Sequence, residues 1–284
     1  MEKISNTTIS NCLTGIGKAF FLSTALWLTG CNFLSDDNAN RIAKANLTPY
    51  KKVSNNPCDN TELLRVQAVP VIKFNTTNVV YFETGMKIDA DGSPHAFHPM
   101  NTGLDNNKNA GKPGNWFGVV TDNNMADGNP VLQNDKDPAP GYFVSTTSLI
   151  DKTFDIKNPR RYVNSEKIPY FVLPPEVINA ADITVGDMAM IYNKKNHRFI
   201  NAIFADISSI DKIGEGSIAL ANALGINSDI KKGGAADGII YFVFPKSGDR
   251  KPKTIEEINA ITSKLFEEWG GMSKFKECFL LDVN

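Results

Sequence analysis

From about residue 63 to residue 245 the apolar positions fall in short runs, broken by stretches rich in Asn, Asp, Gly and Pro. Runs of this length with β-branched and aromatic residues predict strands, and the interruptions predict turns and loops. RVQAVPVIKF (65–74) and NVVYFETGMKIDADGSP (78–94) read as two strands with a polar break between them. WFGVVTD (116–122) reads as a strand ending in an acid, GYFVSTTSL (141–149) as a further strand, and YVNSEKIPYFVLP (162–174) as one short strand or a pair. GDMAMIY (186–192) and RFINAIFADI (198–207) predict an antiparallel pair joined by a tight polar turn, and GIIYFVFP (238–245) predicts a buried strand. The period changes twice. Ile218, Leu220, Ala221 and Leu224 stand at helical spacing over 217–224. A second helix is predicted over 254–269, with Ile255, Ile258, Ile261, Leu265, Phe266 and Trp269 on one face. Thr254 and Glu257 form its capping box, and Gly270-Gly271 stops it. Residues 101–114 and 127–140 are long loops, which inside a domain tend to be functional and here could wall a groove.

The first 31 residues follow another logic. Lys3 and Lys18 precede or flank an apolar run, AFFLSTALWL (19–28), of signal-peptide length and too short to span a bilayer comfortably. It ends in Leu28-Thr29-Gly30-Cys31, which resembles a bacterial lipobox. That resemblance implies export, a lipid on Cys31 and anchorage to the membrane of the cell envelope. Residues 32–62 are polar and aperiodic and read as a tether, leaving 63–284 as the folded domain. Of the four cysteines, removal of Cys12 and lipidation of Cys31 leave Cys58 and Cys278. These two either form a disulfide closing the whole domain or remain separate buried thiols.

The chain has 284 residues, 42% hydrophobic content and a formal net charge of −1 with no basic stripe, which argues against a nucleic-acid partner. A monomer is expected. No CxxC or Cys/His pattern is present, so neither a metal site nor a cofactor is expected. His95 and His98 stand close together without a further ligand in pattern. Asp89-Ala90-Asp91-Gly92 opens like a calcium loop, but Met100 occupies the twelfth position, so a turn is the better reading.

The chemistry concentrates in FADISSIDKIGEGSIALANALGI (204–226). A β-prone run ends at Asp206, and a Gly-flanked Glu215 stands at the mouth of the helix that follows. Two carboxylates on rigid elements facing one cleft suffice for acid/base hydrolysis. Apolar neighbours would raise the pKa of Asp206, and the helix dipole would keep Glu215 ionised, so Asp206 is expected as acid and Glu215 as base.

Gly186-Asp187, Asp206 and the helix Ser217 to Gly225 resemble the double-psi β-barrel proteins, among them wall-loosening expansins and small barrel cellulases. IDADGSPHAFHP (88–99), WFGVVTD, PAPGYFVSTTSL (138–149), YVNSEKIPYFVLP, VGDMAMIY (185–192), the 204–226 stretch and GIIYFVFP, in this order, resemble the chitosanases of glycoside hydrolase family 75. The resemblance implies a mainly β fold with few helices, built on a double-psi-like barrel with long loops and a C-terminal amphipathic helix. It also implies an inverting endo-hydrolase of chitosan, with Asp206 and Glu215 as the catalytic pair. Asp122, Tyr142, Asn164, Lys167 and Asp187 are further substrate-binding candidates, and Trp116 and Tyr142 could stack on sugars or pack in the core. The competing readings are a peptidoglycan- or other glycan-active enzyme on the same barrel and a non-catalytic glycan-binding envelope protein.

Overall fold

The computed structural model describes residues 56–280. The export segment, Cys31 and most of the tether lie outside the described residues. Among the described residues ten strands and four α-helices follow in chain order: β1 Asn60–Val66, β2 Val69–Phe74, β3 Val80–Asp89, β4 Gly111–Lys112, β5 Asn115–Trp116, β6 Tyr170–Leu173, α1 Pro175–Ala181, β7 Met188–Asn193, β8 Arg198–Ile207, β9 Glu215–Ser217, α2 Ile218–Ala223, β10 Ala235–Phe244, α3 Ile255–Trp269 and α4 Gly271–Phe279.

Six strands close on themselves in the order β3-β10-β7-β8-β6-β9 and back to β3, giving the expected barrel. Two of its pairings, β3–β9 and β6–β8, are parallel, and the other four are antiparallel. The β7–β8 pair is the hairpin that the apolar runs predicted, in register from Met188↔Ile203 to Asn193↔Arg198. The first predicted strand is in fact a hairpin. Gln67, at φ 53°, turns the chain between β1 and β2, and β2 pairs with β3. The domain therefore begins before residue 63, with β1 starting at Asn60.

Period-two alternation fills the barrel. Phe82, Met86, Phe171, Leu173, Ala202, Phe204 and Tyr241 meet in one buried cluster inside it. The opposite faces of β7 and β10, with Tyr192, Ile240 and Phe242, pack under α3 and α4 through Phe266, Trp269 and Phe275. The predicted capping box is present, with Glu257 N–H donating to Thr254 Oγ1 at 3.2 Å and Thr254 N–H to Glu257 Oε2 at 2.8 Å. Gly270 ends α3, but the chain turns straight into α4, whose periodicity the sequence reading did not pick out. Near the end of α4, Cys278 is disulfide-bonded to Cys58, with Cα atoms 5.1 Å apart.

The largest departure lies between β3 and β6. The predicted strands at 116–122 and 141–149 do not form ladders; β5 holds only Asn115 and Trp116, and beyond it there are isolated bridges such as Val119↔Ser145 and Leu132↔Phe143. This long insertion gets its order from turns and side-chain hydrogen bonds around small buried clusters instead. It lies against the barrel at the end where β3, β8 and β9 carry Asp89, Asp206 and Glu215.

Candidate active site

The site starts from strand register. Phe171 pairs with Phe204, but the next residue, Val172, pairs with Asp206, so Ala205 is an extra residue on β8. Phe204 points into the barrel core. Plain alternation would send Asp206 inward too. The bulge re-aims it, as bulges beside active sites do, and sets it level with Val172 on the outer face. On its other side Val172 pairs with Glu215, and Glu215 pairs in turn with Lys87 on β3. The two acids thus flank one valine, two strand spacings apart, which is about 10 Å between their Cα atoms.

Glu215 is on a strand and not at the helix mouth. The N-cap of α2 is Ser217, whose Oγ accepts from Leu220 N–H (3.0 Å) and Tyr170 N–H (3.0 Å) and donates to Ile168 O (2.8 Å). Gly214, at φ 88°, leads into Glu215 where a Cβ would collide with Thr84 and Gly85 of β3.

The electrostatics also depart from the expectation for Glu215. Burial raises its carboxyl above the ordinary range, and the charges of Lys212 and Lys87 offset only part of that rise. Asp206 is pushed up to about 6, chiefly by burial and with a contribution from the Glu215 charge. Three donors to one oxygen, Oδ1, limit the rise: Ser148 Oγ at 2.6 Å, Ser148 N–H at 3.0 Å and Ile207 N–H at 2.8 Å.

Two more acids join them. Asp89 ends β3, and the carboxylates of Asp89, Asp91 and Asp206 all lie within 4.8 Å of one another. Burial, then Asp206, pushes Asp89 up to about 8, and burial and the neighbouring acids raise Asp91 well above its ordinary value. The tight turn that folds Asp91 back needs Gly92, at φ 75°, packed against Val163. Burial and mutual repulsion in this crowded spot favour the protonated form of each of the three acids. The pattern Asp89-Ala90-Asp91-Gly92 predicts a turn here. The turn is there, with Asp91 N–H donating to Asp89 Oδ1 at 2.9 Å, but so is the site.

A cleft of about 450 Å³ opens over this ground, lined among others by Asp89, Asp91, Asp105, Phe117, Ile207 and Glu215. Asp206 is not itself on this lining, but its strand partner Val172 and its chain neighbour Ile207 are, and its carboxylate lies within 4.8 Å of those of the lining residues Asp89 and Asp91.

Several predicted binding residues fall elsewhere. Asp187 is fully buried, and its carboxylate anchors loops by accepting from Thr184, Lys246 and Gly248 N–H groups. Asp122 lies on an exposed turn, held ionised by Asn129. Asn164 and Lys167 line a different cavity of about 660 Å³, between the insertion and the start of α3. Tyr142 packs edge-on against His95 and His98, not over the acids. The two histidines have separate partners, His95 Nδ1 with Glu166 at 2.9 Å and His98 Nδ1 with Thr102 at 2.8 Å, and do not converge on a metal. Trp116 packs on Phe143, as a core residue.

The comparison with known families agrees with this geometry. The family model for the fungal chitosanases of glycosyl hydrolase group 75 matches residues 86–271, which run from β3 through both acids to the end of α3. No curated protein matches the chain. With most of its folded domain matched and a carboxylate cleft at the centre of the match, the chain belongs to glycoside hydrolase family 75, the chitosanases, and is a glycoside hydrolase.

Proposed function

We propose that the protein is an endo-acting, inverting hydrolase of β-1,4 bonds in chitosan, with Asp206 as general acid and Glu215 as general base. The observation that carries this reading is the register about Val172, which separates the acids by two strands. Inversion needs room for a water between base and sugar, with carboxyl groups roughly 6.5–9.5 Å apart. The 4.8 Å grouping of Asp89 with Asp206 is too close for that pair to do it.

The roles follow from the surroundings. Asp206 keeps its proton to about pH 6 beside other acids. With Oδ1 taken by three donors, its other oxygen is the one that delivers the proton to the leaving glycosidic oxygen. Glu215 is raised by burial, but the charges of Lys87 and Lys212 offset part of that rise and make its anion, the form that draws a proton from water, less costly. The net reaction adds water across the C1–O bond: hydroxide goes to C1 from the face opposite the leaving group, and the water's second proton goes to Glu215. A cleft lined by several acids suits a cationic polymer.

The test is hydrolysis of chitosan by Asp206→Asn and Glu215→Gln, each expected to lose about 10²–10⁴-fold in rate. Proton NMR of the first products should show the α-anomer. Near-full activity in either variant, or the β-anomer first, refutes the assignment. Cleavage of peptidoglycan in place of chitosan, or polymer binding without cleavage, would favour the competing glycan readings. We also propose that Cys31 carries a lipid anchor; labelled palmitate incorporation that survives Cys31→Ser would rule it out.

A further inference from the structure

One residue in the acidic cleft has no packing role. Phe117 is 67% exposed, belongs to no buried cluster and makes no ring–ring contact among the described residues. A single exposed apolar side chain needs no explanation on an open surface, but Phe117 lines the same cleft as Asp91, Asp105 and Glu215.

Its root is rigid. β4 and β5 form a hairpin with Gly111 opposite Trp116, and Trp116 turns in onto Phe143, ring centroids 5.9 Å apart. The next residue is therefore presented outward. Trp116 N–H donates to Ala126 O at 2.7 Å, and Phe117 N–H and Gly118 N–H both donate to Ala110 O at 2.9 Å. Gly118 lies so close to Ala110 that a Cβ there would come within 2.9 Å of its Cα. The backbone on both sides of Phe117 is pinned, so ordering its ring on a ligand means fixing only two side-chain torsions.

We propose that Phe117 is a stacking platform for a pyranose ring of the polymer, in a subsite beside the acids. This rests on the chitosan reading above. A β-1,4-linked glucosamine carries its substituents equatorially, so its two faces are axial C–H surfaces and its edge bears the hydroxyls and the ammonium. A flat aromatic ring meets the face and leaves the edge toward the acids on the same lining, Glu215 among them. The platform selects for the ring shape.

The experiment measures chitohexaose binding by calorimetry in a Glu215→Gln background, where turnover does not interfere, alongside KM on chitosan with Glu215 intact. Phe117→Ala should weaken binding and raise KM about ten-fold, and the loss should be larger in KM than in kcat. Phe117→Trp should bind within about two-fold of the parent, since it keeps the flat face. Leu132→Ala, which trims another exposed apolar side chain away from the cleft, should bind as the parent does. Unchanged affinity in Phe117→Ala, or equal losses in Phe117→Ala and Phe117→Trp, overturns the platform. A failure of the chitosan reading looks different: the protein with all its acids intact would release no reducing ends from chitosan.

Discussion

Replacing Asp206 by Asn should remove activity and at the same time make the protein more stable above neutral pH. Asn has the shape of Asp, and its Oδ1 can still accept from Ser148 and Ile207. What it loses is a charge that the fold holds under strain. The carboxyl is raised from 3.8 to about 6 by burial and acidic neighbours. A group raised in this way binds its proton more tightly folded than unfolded. Its contribution to stability is whole below about pH 4 and is lost as pH rises through 6. The displacement is worth about 3 kcal/mol above pH 7, and for a domain of this size that is roughly 6–12 °C in Tm. The assay is urea unfolding of wild type and Asp206→Asn at pH 8 and at pH 4. The variant should gain about 2–3 kcal/mol at pH 8 and under about 1 kcal/mol at pH 4. Asp89, itself raised to about 8 by burial and the Asp206 charge, should also relax when that charge goes, adding to the gain at pH 8. Equal stability of variant and wild type at pH 8, or an equal gain at both pH values, would show that Asp206 is not held in a costly ionised state.

Two further outcomes follow from named contacts. Ser148→Ala removes the 2.6 Å hydroxyl donor to Asp206 and so a hydrogen bond that favours the anion; the acid then keeps its proton longer, and the alkaline limb of the pH–rate profile should move up by about one pH unit. Ser148→Thr should leave the limb in place, and an unmoved limb in Ser148→Ala would deny Ser148 this influence. The Cys58–Cys278 bridge closes a loop with a sequence separation of 220 residues. On chain entropy alone, paired Cys58→Ser and Cys278→Ser changes should cost about 5 kcal/mol, read as a lower urea midpoint; a midpoint matching the oxidised wild type would contradict that estimate.

What could be read from the sequence, and what could not, divides by the range of the interaction responsible. The capping box of α3 depends on Thr254 and Glu257, three residues apart, and the β7–β8 hairpin on two adjacent runs; both are written locally. Asp206 and Glu215 stand out as candidates because a β-prone run and a helical period lie on either side of them. The remaining acids could not be sorted by any local rule. Asp187 follows a glycine just before a strand, as a site residue might, yet it is sealed in by donors at Lys246 and Gly248 from the far side of β10. Asp89 and Asp91 satisfy a turn completely on their own terms, and their second role comes from β3 lying beside β9 and the insertion folding back over it. Trp116 and Phe117 differ by one step of alternation in a strand two residues long, too short for a pattern to say which ring turns inward. Even Asp206, the best-founded choice, would face the barrel core if strict alternation ran on from Phe204. It reaches the cleft because β8 takes one residue more than β6 across a parallel pairing. In a closed barrel every strand has two neighbours, so the register that aims each acid is set by chain that arrives from far away. The choice of these two acids as candidates is thus a local signal, while their geometry belongs to the closure of the barrel.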